Sequence, residues 1–298
     1  MEIVTDKSIG KVNQKSLSPW AIARRKFIKN KLAMVSLIFL VIVAIVSLLA
    51  PIITTQDITK IYISQMSLSP SAEHFLGTDK SGRDVFTRLL YGGRVSLFLG
   101  LSCTFLVISF GTIVGAIAGY FGGIVDSLLM RFTDFVLNFP FMVFVIVLNA
   151  ILFGKVSGLW VLIGVISFLS WGGVARIVRS KILAEKENEY VLSSVSIGCS
   201  SSKVIVKHLL PNVLSTIIVQ ASITFASMIV AEAGLSYLGF GVPQEIPSWG
   251  NMLSSANEPD VLQYKPWIWI PPALIITLTT LSINFIGEGL KDALNPKS

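Results

Sequence analysis

Six stretches of the chain run for at least 20 residues without a single Asp, Glu, Lys or Arg: Leu32–Gln56, Val95–Val125, Phe135–Gly154, Val156–Ala175, His208–Ala231 and Pro266–Gly287. An apolar helix needs ~20 residues to cross the hydrocarbon core of a bilayer. Inside that core every backbone polar group must find its partner within the chain, so each run reads as a helix. The bland alternative is a set of buried helices in a large soluble core, but such helices rarely stay free of charge over this length. Composition argues the same way. With 53% hydrophobic and 14% charged residues, the chain cannot cover itself with a charged shell. This excludes disorder, a coiled coil and an ordinary cytosolic enzyme. The expected fold is an all-α membrane protein with six transmembrane helices.

The charges that remain report orientation. If the amino terminus is inside, residues 1–31, the 126–134 turn, the 176–207 loop and the tail hold 17 of the 24 Lys and Arg. The positive-inside rule therefore puts both termini in the cytoplasm. The net charge of +7 follows topology and does not mark a nucleic-acid surface. The first apolar run is too long for the core of a signal peptide and is expected to remain as an anchor. The basic residues before it, Arg24 to Lys31, suit anionic lipid. Cys103 and Cys199 fall on opposite sides of this topology, so no disulfide is expected.

Between the runs lie the candidate sites. A compact extracytoplasmic turn spans Thr78, Asp79, Gly82, Arg83 and Asp84. After it, Val85, Phe86, Leu89, Leu90 and Gly93 recur at helical spacing, which predicts an amphipathic helix in the membrane interface before the second span. Gly111, Gly115 and Gly119 are four apart and allow close helix packing, within the chain or against a partner. The longest inside loop, 176–212, reads as helix, Gly turn, helix, with Pro211 ending the pattern. A 34-residue outside segment, Glu232–Lys265, carries Trp249. Thr216, Gln220, Thr224 and Ser227 share one face of the fifth span, and Thr277, Thr280 and Asn284 one face of the sixth. These stripes suit a solute path; interhelical hydrogen bonding is the alternative.

Catalytic chemistry finds no constellation. His74 and His208 lie on opposite sides, no His/Cys cluster has metal-ligand spacing, and there is no P-loop sequence. The spans are read as free of acidic residues, whereas ion-coupled transporters usually keep ionisable groups at mid-membrane. Uphill transport would then need energy from another subunit.

One loop carries a recognisable pattern. Glu189-Tyr190-Val191-Leu192-Ser193-Ser194-Val195-Ser196-Ile197-Gly198, followed by Lys207-His208-Leu209-Leu210-Pro211-Asn212, resembles the EAA loop of ATP-binding-cassette importer permeases. Phe75–Asp84, Gly119–Gly123 with Asp126, Glu232–Gly241 with Ser248-Trp249-Gly250, and Gly287–Pro296 are similar to the oligopeptide/dipeptide/nickel branch. The loop departs from that pattern in reading Leu192-Ser193-Ser194 for Glu-Ala-Ala.

The resemblance implies a type I importer bundle in the cytoplasmic membrane of a prokaryote. It also implies a second homologous permease subunit, two cytoplasmic ATPases, an extracytoplasmic solute-binding protein and surrounding membrane lipid. ATP and Mg would be held by the partner subunits, with no cofactor or metal on this chain. Glu189, Tyr190, Val191, Ser193, Ser194, Val195, Gly198, His208 and Pro211 would form the coupling loop. Thr78, Asp79, Gly82, Arg83, Asp84 and Trp249 would serve the outer gate or binding-protein contact. The organisation expected is a basic segment 1–31, a first span with its outer loop 32–90, a five-span core 91–289 and a tail 290–298. Peptide import is the leading function. Its rivals are import of nickel or another metal complex and, from another class, an ion-coupled transporter or channel.

Overall fold

The computed structural model describes residues 19–152 and 158–294. Residues 1–18, the short link at Lys155, and Asn295 and Pro296 of the tail pattern lie outside them. The described residues form helices α1 (Pro19–Lys29), α2 (Lys31–Leu48), α3 (Val85–Phe121), α4 (Gly123–Leu137), α5 (Phe141–Leu152), α6 (Gly158–Glu185), α7 (Glu189–Ser196), α8 (Leu210–Tyr237), α9 (Trp249–Leu253), α10 (Pro259–Tyr264) and α11 (Pro266–Leu294). Shorter helical turns lie between some of these.

Helix direction follows from the glycines of α3. A methyl group at Gly111 would lie 2.7 Å from Val174 Cβ, one at Gly115 would strike Ala175 and Val178, and one at Gly119 would lie 2.9 Å from Ile182 Cβ. Contacts that advance together along both helices mean that α3 and α6 run parallel. Glycine at all three positions lets the backbones approach closely. The stripe is thus an internal packing face.

Parallel neighbours need a return crossing between them. Helix α3 ends at Phe121, and α6 begins at Gly158, against Pro243 at the other end of the bundle. The pair α4–α5 makes that return, bent by 79° at the break between them. The third apolar run was expected to be one straight span from Phe135; this is corrected. Pro140 has no N–H to continue a helix, and the residue before a proline avoids the helical conformation. The chain therefore stops at Leu137 and restarts at Phe141. Among the described residues five helices can span by length and apolarity, and six if the bent pair counts as one span.

The other directions follow. Gly289 at the end of α11 packs on Ala33 at the start of α2, while Gly93 early in α3 meets Ser47 at the end of α2. Gly100 meets Phe225 and Ile229 while the earlier Ser96 reaches the later Glu232, so α8 runs antiparallel to α3. Helix α2 is peripheral and leaves Val35, Ile38, Ile42 and Ile45 exposed on its outer face. The core centres on Leu99, Leu162, Ile166 and Trp171, from α3 and α6.

Two further expectations change. No separate interfacial helix precedes the second span, because α3 is continuous from Val85 over 37 residues and crosses position 90–91 without a break. Asp84 caps it by accepting the Thr87 N–H at 2.7 Å. At ~1.5 Å per residue it is longer than a bilayer core is thick, so its first turns project outward. Nor does Pro211 end a helix. Ser201 to Tyr237 is one helical run, with a π stretch at Val204–Leu209 just before the proline. The wider turn accommodates a residue that lacks an N–H and crowds the preceding turn.

Gly115→Leu is expected to destabilise the bundle by about 1–3 kcal/mol through overpacking against α6. Gly164→Leu, where a side chain meets open space, should have little effect. Thermal unfolding of both variants in detergent checks this.

Candidate functional site

The cytoplasmic loop is built around Tyr190. Its hydroxyl donates to Glu185 Oε1 at 2.5 Å, at the end of α6, and accepts from Asn212 Nδ2 at 2.9 Å, at the start of α8. Asn212 also donates to the His208 carbonyl at 2.7 Å. One side chain thus fixes α7 to both flanking helices. Partial burial, with the hydrogen bond and charge of Glu185 behind it, pushes the Tyr190 phenol up to about 12. Its contribution to loop order is present below the ordinary tyrosine value of ~10 and lost as pH rises through that raised value.

Val191 and Ser194 face inward and are buried, with Val191 against Val204, Leu209 and Val213. Ser194 Oγ donates to the Tyr190 carbonyl at 2.8 Å. Glu189 and Ser193 are exposed, and His208 is half-buried. Gly198 takes φ +81°, a backbone region that glycine enters without penalty, and reverses the chain after α7. The opposite face of the loop is apolar and bare: Leu192, Val195, Ile197 and Val206 are exposed, Ile197 at 80%. Sequence reasoning had chosen Val195 but not Leu192, Ile197 or Val206. Their signal was apolar residues left over once the inward face of α7 was assigned.

The polar stripes divide. Thr216 and Gln220 line a cleft of about 410 Å³ with Lys181, Ser215 and Lys291 at the cytoplasmic end of α6, α8 and α11. Thr224 is buried. Ser227, Thr277 and Asn284 are exposed on the outside of the bundle, where Ser227 and Thr277 donate back to the Ile223 and Ala273 carbonyls. Thr280 is half-buried.

At the outer end the turn is a folded unit. Thr78 is fully buried, donates to the Gln65 carbonyl at 2.5 Å and accepts the Leu68 N–H at 2.8 Å. Asp79 accepts the backbone N–H groups of Ser81 and Arg83 and the Arg83 guanidinium at 2.8 Å. Gly82, at φ +73°, lies against the Tyr62 carbonyl, where no side chain would fit. Asp84 also pairs with His74 Nδ1 at 2.9 Å.

Arg88 is 2% exposed and donates to the Ile58 carbonyl at 3.1 Å and the Gln244 carbonyl at 3.2 Å. It stitches the first outer loop to the second. Trp249 is 1% exposed, and its indole N–H donates to the Leu89 carbonyl at 3.0 Å. Glu232, expected at the start of an outside segment, is instead buried within α8. The expectation of acid-free spans fails there, because the helix continues five residues past it to Tyr237. Three serine hydroxyls surround its carboxyl. Arg88 and Glu232 were not singled out from sequence. A lone charge amid apolar residues at helical spacing was the available signal.

Residues 111–298 match the family model described as "Binding-protein-dependent transport system inner membrane component", and residues 18–70 match "N-terminal TM domain of oligopeptide transport permease C". The chain is 40% identical to the oligopeptide transport system permease protein OppC of Haemophilus influenzae, over all of this chain and 94% of that one. It is 39% identical to OppC of Bacillus subtilis, over 96% of this chain and 92% of that one. The dipeptide permease protein DppC of Bacillus subtilis is also 39% identical, over 96% of this chain and 88% of that one. Among solved structures, the MetNI methionine ABC transporter in inward-facing conformations aligns with a TM-score of 0.57 at 18% identity, covering 70% of this chain and 96% of that one. That likeness concerns the fold.

Tyr190→Phe removes one hydroxyl that serves both a donor and an acceptor. At ~1 kcal/mol for such a loss, amide exchange across 186–198 should quicken roughly fivefold. The parent loop should keep constant protection between about pH 6 and 9, since the phenol stays neutral there. Hydrogen exchange followed by mass spectrometry checks both.

Proposed function

Because the chain belongs to the binding-protein-dependent transport inner-membrane components, we propose that it is the membrane-spanning permease subunit of an ATP-driven importer of peptides. The names of the three relatives described above, two for oligopeptides and one for dipeptides, support peptides over nickel complexes. The chain is a multi-pass inner-membrane protein. On this reading it works with a second, homologous permease subunit, two cytoplasmic ATPases that hold ATP and Mg, and an extracytoplasmic binding protein that delivers the solute.

The observation that carries this reading is the bare apolar face of the cytoplasmic loop. Leu192, Val195, Ile197 and Val206 expose apolar surface beside the Tyr190 tether. Apolar side chains in water that are fixed to a rigid element make a docking surface. A partner groove that receives them converts ATPase closure into movement of α6 and α8, to which Tyr190 binds α7. Val191, Ser194 and Gly198 then serve the loop's own architecture, and Val195 meets the partner. Only differential contacts in the two states can shift the equilibrium between inward and outward access, and this face supplies them.

The exposed Ser227, Thr277 and Asn284 fit the same reading. Polar groups facing lipid are costly, and a second permease subunit against α8 and α11 would place them beside a shared aqueous path. Thr216 and Gln220 would lie at its cytoplasmic mouth. Neutral polar groups accept peptides of varied side chain. Thr78, Asp79, Gly82, Asp84 and Trp249 are buried, so they would shape the outer surface that receives the binding protein from beneath and would not touch it.

Ile197→Asp puts a charge on the docking face without touching the loop's own packing. It should abolish uptake of labelled peptide in cells while membrane insertion stays unchanged. Uptake at the parent rate would remove the coupling role from this face.

A further inference from the structure

We propose that Glu232 is the anchor of the outer gate, a buried positioning residue whose hydrogen bonds hold the segment 242–253 closed over the outer end of the bundle. This rests on reading the chain as an alternating-access subunit.

Glu232 is 1% exposed, and among the described residues its hydrogen-bond partners are hydroxyls alone. Ser236 and Ser248 donate to Oε1 at 2.7 and 2.8 Å, and Ser96 donates to Oε2 at 3.0 Å. A serine hydroxyl has one proton to give. Each of these three directs it to Glu232 and uses its oxygen to accept a backbone N–H. The donors are Trp249 N to Ser96 at 3.1 Å, Val242 N to Ser236 at 3.2 Å and Asn251 N to Ser248 at 3.1 Å. All three N–H groups belong to the outer segment. One carboxyl therefore fixes three backbone positions of that segment, working from α3, from α8 and from the segment's own Ser248.

The backbone is shaped to allow it. A methyl group at Gly250 would lie 2.8 Å from Glu232 Oε1 and 2.7 Å from Ala233 Cα. Trp249 packs over Gly92 and Gly93, where added methyl groups would come within 3.2 and 3.0 Å of its ring. The far edge of the segment is fixed separately, by Arg88 on the Gln244 carbonyl. The outer ends of α3 and α8 are thus covered by the segment through Trp249. The other state of an alternating-access cycle needs the outer end to open. Lifting the segment from α3 and α8 must break the Ser248 bond to Glu232 and the bonds from the Trp249 and Val242 N–H groups to Ser96 and Ser236. Removing the acid takes away the Ser248 bond and the acceptor that orients the Ser96 and Ser236 oxygens toward the segment's N–H groups, which weakens the closed state.

The test uses the assembled transporter, with its partner permease and ATPases, in right-side-out vesicles. Met252 lies buried within the segment. A Met252→Cys version is exposed to a membrane-impermeant maleimide from outside, and the labelling rate is read. Glu232→Ala is expected to raise that rate ~tenfold or more, through more frequent opening. Ser96→Ala, which keeps the acid and removes one of three hydroxyls, should raise it about threefold. Rates within about twofold of the parent in both variants would overturn the proposal. If Glu232→Ala does not assemble with the ATPases, Ser96→Ala decides alone by the same criterion. Labelling needs no transported solute. Faster labelling in a complex that imports no peptide therefore counts against the peptide reading and leaves the anchor standing.

Discussion

The close parallel packing of α3 on α6 is the contact on which the rest of the structure depends. Three glycines one turn apart bring the two backbones together along the inner half of the bundle. Because the two helices point the same way, the chain must return across the membrane between them. The bent pair α4–α5 does this and is tied to α6 as it climbs. Arg179 pairs with Asp126, and Arg176 with Asp134 at 2.5 Å. With that crossing in place, the loop carrying Tyr190 falls on the side of the basic residues, and the segment carrying Trp249 falls on the other.

The two ends are built differently. At the cytoplasmic end a single phenol ties a short helix to its neighbours and leaves an apolar face bare. At the outer end two buried polar side chains, Arg88 and Glu232, hold two loops onto the bundle through backbone carbonyls, hydroxyls and N–H groups. Buried polar groups of this kind are costly unless fully partnered, and so they specify one arrangement of the loops. A bundle rigid between two such ends suits a machine that is pushed from one side and opens on the other.

Much of this was legible in the residues themselves. Runs without charge gave the number of crossings and, with the placement of Lys and Arg, their direction. The glycine stripe announced a close contact but not its partner, because small residues state only that something approaches. Pro140 broke a run that apolarity alone reads as continuous. Pro211, read as a stop, was absorbed by a π turn, a solution that depends on neighbours and not on the proline. Residues 85–93 resembled an interfacial helix because periodicity cannot tell lipid from protein. Arg88 lies 3.7 Å from the nearby Asp79 carboxylate, but its hydrogen-bond acceptors are the Ile58 and Gln244 carbonyls, 30 and 156 residues away in sequence. Such long-range satisfaction of a buried charge leaves no local trace. The coupling loop was recognised from its pattern. Which of its residues face inward was not, because alternating small and apolar residues on α7 admit more than one face.

The most direct measurement concerns the return crossing. Single cysteines replace Ile124, exposed at the start of α4, and Gly158, at the start of α6. Each is treated in intact cells with a membrane-impermeant maleimide. Gly158→Cys should label from outside, and Ile124→Cys only after the membrane is permeabilised. Labelling of both from the same side would mean that α4 and α5 do not cross, and the assignment of the Tyr190 loop and the Trp249 segment to opposite faces would fall with it.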